Sequence, residues 1–127
     1  MARTLLLIAS ISGGLAVMLG AFGAHGLADS VTPERLQVWR TAAHYHLIHS
    51  VVLLTLSAIL MHRPSKLLER AAWLFIVGIV IFGAMLYTLV LTDITVLGAI
   101  TPIGGLCLIL GWFHCAWFAA TELRTQG

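Results

Sequence analysis

The third hydrophobic stretch of the chain, AAWLFIVGIVIFGAMLYTLVL at residues 71–91, decides the fold class because it contains no charged side chain. A helix needs about 20 apolar residues to cross the hydrocarbon core of a bilayer. Similar apolar stretches cover residues 4–27, 39–61 and 96–120. None alternates strictly between apolar and polar residues, as strands of a membrane barrel do, and lipid forces each segment to satisfy its own backbone hydrogen bonds. The sequence therefore predicts an all-α protein, a four-helix transmembrane bundle.

The composition favours a single integral membrane domain over residues 1–127. Of these residues 60% are hydrophobic and 9% are charged, whereas soluble domains carry roughly 25% charged residues. A soluble fold of this length would leave much of that apolar surface in water. The formal net charge of +2 comes from scattered Lys and Arg residues. Without a basic stripe the sequence gives no support for nucleic-acid binding, and the lipid bilayer is the expected surrounding.

Two prolines bear on the second and fourth helices. Thr32-Pro33-Glu34 is typical of a helix start, with Thr as N-cap, Pro in the first turn and an acid near the positive end of the helix dipole. We therefore expect the second helix to span about 33–61. Pro102 lies inside the fourth apolar stretch, where proline removes one backbone hydrogen bond. The fourth helix is expected either to kink at Pro102 or to begin there after a re-entrant segment.

Positive charge is distributed unequally between the two ends of the predicted helices. Arg35 and Arg40 fall on the side of the first and third connections, whereas the opposite side, with both termini, carries five basic residues: Arg3, Arg63, Lys66, Arg70 and Arg124. Cytoplasmic segments of membrane proteins carry an excess of Lys and Arg. We therefore expect both termini to be cytoplasmic, an N-in/C-in orientation.

Small residues recur on one face of the first and fourth helices. Three- and four-residue steps separate Gly13, Ala16, Gly20 and Gly23, and Gly104 and Gly111 are seven apart. Small residues let membrane helices approach closely, so these faces are predicted to be buried in helix packing. The alternative is that glycine is simply frequent in membrane helices.

Polar side chains at similar depths on all four helices suggest a shared pocket in the outward-facing half of the membrane. Ionisable groups at membrane depth are costly and usually face the bundle interior. About 100° per residue places Arg40 and His44 on one face of the second helix and His46 nearly opposite His44, so the three histidines of this helix cannot bind one metal together. The candidate pocket residues are His25, Arg40, His44, His49, Tyr87 and Thr101.

Three interpretations of these residues remain open. The histidines can lock the bundle through hydrogen bonds between helices. They can form a haem or metal site, with His25 and either His44 or His49 as ligands, because neutral imidazole is a common metal ligand. They can also line a binding pocket or proton path for a small solute, a lipid or a quinone. No spacing matches a metal motif, so we assign no metal ligand and no cofactor.

The sequence lacks the residues that most membrane-embedded chemistry requires. No Asp or Glu lies in the core of an apolar stretch, although proton-coupled exporters generally depend on such a carboxylate. It contains no Gly-x-Ser-x-Gly, no His-Glu-x-x-His and no phosphate-binding loop. Because no paired acid and base and no nucleophile constellation appears, we predict that the protein is not an enzyme and assign no catalytic residue.

Several motifs together identify a family. They are Gly20-Ala21-Phe22-Gly23-Ala24-His25, the Tyr45-His46 and His49 region, and Thr101-Pro102-Ile103-Gly104-Gly105 leading to Gly111-Trp112. Through them nearly the whole chain resembles the domain-of-unknown-function 423 family, uncharacterised bacterial membrane proteins related to a small vertebrate transmembrane protein. The resemblance implies about four membrane helices, one domain and a bacterial inner (plasma) membrane location, and it supplies no agreed activity or catalytic residue.

The third helix departs from the family pattern. Members usually show Phe-Ser-Gly-Ser-Leu-Tyr before the tyrosine, whereas this chain reads Phe82-Gly83-Ala84-Met85-Leu86-Tyr87. Both serine hydroxyls are absent, so a pocket beside Tyr87 is predicted to be drier here.

The leading functional hypothesis is an uncharacterised, non-enzymatic multi-pass membrane protein with this polar pocket. We expect it to act as a homo-oligomer or as an accessory subunit of a larger membrane complex, because 127 residues leave much of every helix exposed. Two alternatives are a small homo-oligomeric transporter or channel, and a haem- or copper-binding membrane component.

Overall fold

Four long helices make up the computed structural model, which describes residues 1–123. The helices are α1 (Ala2–His25), α2 (Pro33–His62), α3 (Lys66–Thr92) and α4 (Leu97–Thr121). All four are long and apolar enough to cross a membrane, and the described part of the chain contains no strand. The predicted all-α transmembrane bundle is therefore confirmed. Arg124, one of the basic residues used to predict the orientation, lies outside the described residues.

The bundle has two ends, which we call the terminal side and the loop side. The terminal side carries Met1, the α2–α3 connection at residues 63–65 and the end of α4. The loop side carries the α1–α2 connection at residues 26–32 and the α3–α4 connection at residues 93–96.

The start of α2 is as expected, whereas α3 begins about five residues earlier than the apolar stretch indicated. Thr32 caps α2 by accepting a hydrogen bond from the N–H of Arg35. At α3, the Ser65 hydroxyl accepts a hydrogen bond from the N–H of Leu68, and Lys66 pairs with Glu69 at 2.7 Å in the first turn. A capped polar turn thus extends α3 beyond the hydrophobic residues that predicted it.

The fourth helix continues through its proline. It begins at Leu97 and runs without interruption to Thr121, with Pro102 inside. The alternative in which the helix begins at Pro102 is therefore wrong. Before it, α3 ends at Thr92 and is followed by its C-cap residue Asp93, whose φ of 57° is left-handed and whose N–H donates to the carbonyl of Leu89. Asp is one of the few side chains that tolerate this conformation, so the chain reverses in four residues.

Each helix packs on the next one along the chain, so α2 lies between α1 and α3, and α4 packs on α3. A large apolar core occupies the terminal-side half, with members on all four helices: Leu5, Ala9, Leu53, Leu56, Leu60, Leu68, Ala71, Ala72, Phe75, Ile79, Leu108 and Phe118. A smaller core at the loop side consists of Leu27, Trp39, Leu89 and Val90. The space between these two cores holds the candidate site.

Gly23 and Gly104 each lie where two helices approach closely. A Cβ atom added to Gly23 would lie 2.4 Å from Cδ1 of Trp39, and one added to Gly104 would lie 2.5 Å from the backbone nitrogen of Phe82. The first contact seats the Trp39 indole of α2 on α1. The second brings the α4 backbone against the α3 backbone, where no flexible side chain can move aside.

The other small residues singled out in the sequence share these interfaces. On α1, Ala16 is buried, and added Cβ atoms on Gly13 and Gly20 would meet side chains of α2 at ordinary contact distances of 3.8 and 4.0 Å. On α4, a Cβ atom on Gly111 would lie 2.7 Å from the Phe75 ring. The small-residue face of α1 therefore lies against α2, and that of α4 lies against α3.

Replacement of Gly104 by alanine is expected to destabilise the bundle, because the added methyl group forces the α3 and α4 backbones apart. Overpacking of this kind costs about 1–3 kcal/mol. The matched control is Gly105→Ala, whose Cβ atom would lie 3.9 Å from the Phe82 ring. Thermal unfolding in mild detergent measures the effect, and equal apparent Tm values for the two variants would contradict the close backbone contact.

Candidate functional site

Four polar side chains from three helices form a hydrogen-bonded network near the middle of the bundle. Ser12 Oγ of α1 lies 3.0 Å from Nε2 of His46 and 2.6 Å from Oγ of Ser50, both on α2. On the other side of the imidazole, Nδ1 of His46 lies 3.3 Å from the hydroxyl of Tyr87 on α3. We call Ser12, His46, Ser50 and Tyr87 the central network. It links α1 to α2 and α2 to α3.

The direction of each hydrogen bond in the central network follows from counting protons. Ser50 donates its only hydroxyl proton to the carbonyl of His46, at 2.7 Å. In the Ser12–Ser50 contact, Ser12 must therefore be the donor. Having used its proton, Ser12 accepts from His46, so Nε2 of His46 carries a hydrogen. A positive charge is costly at this depth, so the neutral imidazole accepts from the Tyr87 hydroxyl at Nδ1.

A cleft of about 420 Å³ opens between α1 and α3 beside this network. Three network residues, Ser12, His46 and Tyr87, line it. The other lining residues are apolar: Ile8, Ile11, Leu15, Leu19, Leu53, Ile76, Ile79, Val80, Gly83 and Ala84. We call this the α1–α3 cleft. It combines a hydrocarbon-like wall with a few fixed polar atoms, which is typical of sites for small organic ligands.

Trp39 holds the loop-side end of the α1–α3 cleft in place. Its indole N–H donates to the carbonyl of Leu19 at 2.7 Å, and its ring lies 4.6 Å from the Tyr87 ring, centroid to centroid. Leu19 and Tyr87 both line the cleft. Trp39 is almost fully buried, and the notch at Gly23 accommodates it. One side chain of α2 therefore fixes the spacing of α1 and α3 at this end.

His49 belongs to a different interface, between α2 and α4. Its Nε2 accepts a hydrogen bond from the indole N–H of Trp112 at 3.3 Å, so Nδ1 carries the proton and donates to the carbonyl of Tyr45 at 2.7 Å. Both nitrogens are thus engaged, and the lone pair that a metal ion requires is in use. Within residues 1–123 no three His, Cys, Asp or Glu side chains are grouped so that they could hold a metal ion.

The structure does not gather the six predicted pocket residues. His25, Arg40 and His44 are exposed on the outside of the bundle. Thr101 is buried, but its hydroxyl donates to Leu97 of its own helix. His49 and Tyr87 are inside at separate places, and of the six only Tyr87 lines the α1–α3 cleft. The prediction matched residues by depth, and depth does not say which side of a helix faces a neighbour.

Three network residues were absent from the predicted set. Ser12 and Ser50 are short hydroxyl side chains in apolar surroundings, which carry little signal because serine often bonds its own helix. His46 carried a usable signal. On the helix surface His46 lies nearly opposite His44, so once His44 faces outward, His46 must face inward.

Replacement of Trp112 by phenylalanine is expected to lower bundle stability by about 1 kcal/mol, since it leaves Nε2 of the buried His49 without a donor. Trp117→Phe is the matched control, because that indole lies on the same helix, is exposed to a similar extent (59% against 50% for Trp112) and makes no side-chain hydrogen bond within residues 1–123. Chemical unfolding in mixed micelles compares the two variants. Equal losses of unfolding free energy would argue against the Trp112–His49 hydrogen bond.

Comparison with known proteins supports the family resemblance. Residues 19–105 match the family model described as "Protein of unknown function (DUF423)". The UPF0382 membrane protein YwdK of Bacillus subtilis (strain 168) is 42% identical over 112 residues, which cover 87% of this chain and 90% of the relative. The UPF0382 membrane protein SAB0533 of Staphylococcus aureus (strain bovine RF122 / ET3-1) is 41% identical over 110 residues, 87% of this chain and 89% of the relative.

A UPF0382 membrane protein of Staphylococcus epidermidis (strain ATCC 12228 / FDA PCI 1200) is 39% identical, with the same coverage of both chains. No solved structure matches. From the family match and the extended identity to these relatives, the chain belongs to the DUF423 (UPF0382) family of membrane proteins of unknown function.

Proposed function

We propose that the protein is a non-enzymatic membrane protein that binds a lipophilic molecule in the α1–α3 cleft, with the polar group of that molecule against the central network. The observation that carries this proposal is the combination, in one cleft of about 420 Å³, of an aliphatic wall with Ser12, His46 and Tyr87. Ligand sites in proteins have volumes of about 300–1,000 Å³ and the same division between apolar lining and a few polar groups.

The rim of the cleft supports entry from the bilayer. Ile11, Leu15 and Val80 line it and are 57%, 44% and 60% exposed. In a membrane these side chains face acyl chains, so a lipophilic molecule can reach the cleft laterally without crossing water. Ser50, by contrast, is 2% exposed, and it anchors the network inside the protein.

The proton arrangement supports a binding role over catalysis. Ser12 next to His46, with Tyr87 behind it, has the outline of a nucleophile, a base and an orienting group. A general base, however, must offer the serine a free nitrogen lone pair. Here Nε2 of His46 donates to Ser12, and the Ser12 proton is directed to Ser50. The imidazole therefore presents an N–H group to Ser12 where activation of the serine would need a lone pair.

The apolar terminal-side core gives a transporter or channel less support. Leu53, Leu56, Leu60, Leu68 and Phe75 are all buried in that half. The buried Ser57 in the same half donates its hydroxyl proton to the carbonyl of Leu54 in its own helix, at 2.7 Å. The occupied nitrogens of His49 likewise weaken the hypothesis of a haem or copper component with His49 as ligand.

We further propose an N-in/C-in orientation in the bacterial inner membrane. Arg3, Arg63, Lys66 and Arg70 lie on the terminal side, against Arg35 and Arg40 on the loop side, and this bias favours a cytoplasmic terminal side. Association with a second copy or a larger membrane complex stays a prediction. The surface for such an association is the side of α1 that does not pack on α2, where Leu7, Val17 and Met18 are exposed.

The cleft hypothesis is tested by blocking the cleft with Ala84→Trp. Ala84 lines the cleft from α3, so an indole there should fill it and reduce the co-purifying lipophilic molecule at least fivefold. Val77→Trp is the control, because Val77 is exposed on the same helix and does not line the cleft. Native mass spectrometry of gently solubilised protein, followed by extraction and identification of bound molecules, measures the occupancy.

If both tryptophan variants retain the same bound molecules as the wild type, the cleft is not the binding site. If the wild type carries nothing beyond bulk lipid and takes up no added lipophilic compound, the binding function itself is wrong.

A further inference from the structure

We infer that the α1–α3 cleft selects a lipophilic alcohol, a molecule whose polar group donates a hydrogen bond, over carbonyl compounds such as ketones and quinones. This inference rests on the proposed binding function and adds the chemical class of the ligand. Its basis is the direction of the hydrogen bonds in the central network.

Every donor in the network is already used within the protein. The Tyr87 hydroxyl donates to His46 Nδ1, His46 Nε2 donates to Ser12, Ser12 donates to Ser50, and Ser50 donates to the carbonyl of His46. The chain of donors ends on a backbone carbonyl, so it fixes the direction of every earlier bond. No network hydrogen is left for a ligand.

What the network offers to the cleft is acceptor capacity. A hydroxyl oxygen has two lone pairs and one proton. Tyr87 uses its proton and keeps its lone pairs, and Ser12 keeps one lone pair after accepting from His46. Both residues line the cleft. A ligand hydroxyl can therefore donate to the Tyr87 or Ser12 oxygen without disturbing any existing bond.

A carbonyl ligand would have to break the network to be recognised. To donate to it, Tyr87 must turn its hydroxyl away from His46, which leaves the half-buried Nδ1 without a partner. The penalty for an unpaired buried polar group corresponds to a roughly 5- to 150-fold loss of affinity. Anionic head groups are disfavoured for another reason, since among residues 1–123 no Lys or Arg lines the cleft.

The direct test is competition between 2-hexadecanol and 2-hexadecanone, which have the same carbon skeleton and differ in the hydroxyl and carbonyl group. Purified full-length protein in detergent is equilibrated with an equimolar mixture, separated from free compound and extracted, and the bound ratio is measured by gas chromatography with mass detection. We expect the alcohol to be favoured at least fivefold over its ratio in the detergent micelles.

Two variants should affect this ratio differently. Ser12→Ala removes the acceptor of His46 Nε2–H and frees that donor toward the cleft, so the preference for the alcohol should fall toward parity. Tyr87→Phe keeps the ring that packs on Trp39 and exposes the Nδ1 acceptor, so the preference should persist. Ser10→Ala is the control, because Ser10 bonds its own helix at Leu6 and does not line the cleft.

The outcomes separate the two proposals. Equal binding of alcohol and ketone, both lost in Ala84→Trp, would overturn the alcohol inference and leave the binding function intact. Binding of neither compound by the wild type, or unchanged binding of both by Ala84→Trp, would overturn the binding function as well. An alcohol preference that Ser12→Ala leaves unaltered would show that the network does not set it.

Discussion

Hydrocarbon offers no hydrogen bonds, so polar side chains that are buried among the four helices must find their partners inside the protein. The rest of the structure depends on this constraint. Within residues 1–123, every buried side-chain nitrogen and oxygen atom has a hydrogen-bond partner. The central network meets the constraint by joining α1, α2 and α3 through Ser12, His46, Ser50 and Tyr87. The cleft is the space that remains where α1 and α3 flank this connection without closing over it.

Polar bonds between membrane helices are individually weak, about 0.6 kcal/mol on average, so close packing has to supply the remaining cohesion. Gly23 admits the Trp39 ring, and Gly104 admits the backbone at Phe82. The ends of the bundle are fastened separately. Arg35 pairs with Asp93 at 2.5 Å on the loop side, and Ser65 donates to the Glu122 carboxylate at 3.0 Å on the terminal side. The guanidinium of Arg63 also donates to the Glu122 carbonyl.

His46 and His49 lie three positions apart on α2 and have different roles. Both ring nitrogens of His49 are hydrogen-bonded, to Tyr45 of its own helix and to Trp112 of α4, so His49 links α2 to α4. His46 is also hydrogen-bonded on both sides, yet its partners are hydroxyls that line a cleft and keep unused lone pairs. The interpretation that histidines lock the bundle therefore fits His49, and the interpretation of a binding pocket fits the surroundings of His46.

The sequence by itself determined the number of helices and their approximate spans. Bilayer thickness is a constraint along one axis, and an apolar run such as residues 71–91 meets it whatever its neighbours are. Local chemistry placed the start of α2, since Thr32 and Pro33 act within one turn. The cap at Ser65 is equally local, but a search for apolar residues alone passes over it.

Only the tertiary structure decided which face of each helix meets which neighbour. In water, an apolar stripe marks the buried side of a helix, but in lipid the outer face is apolar too. Sequence therefore placed His25, Arg40 and His44 at plausible depths, yet could not show that they point outward, while Ser12 and His46 point inward. The cleft depends on that choice of faces, because it is made by residues of α1, α2 and α3 that are far apart in the chain and meet only when the helices have packed.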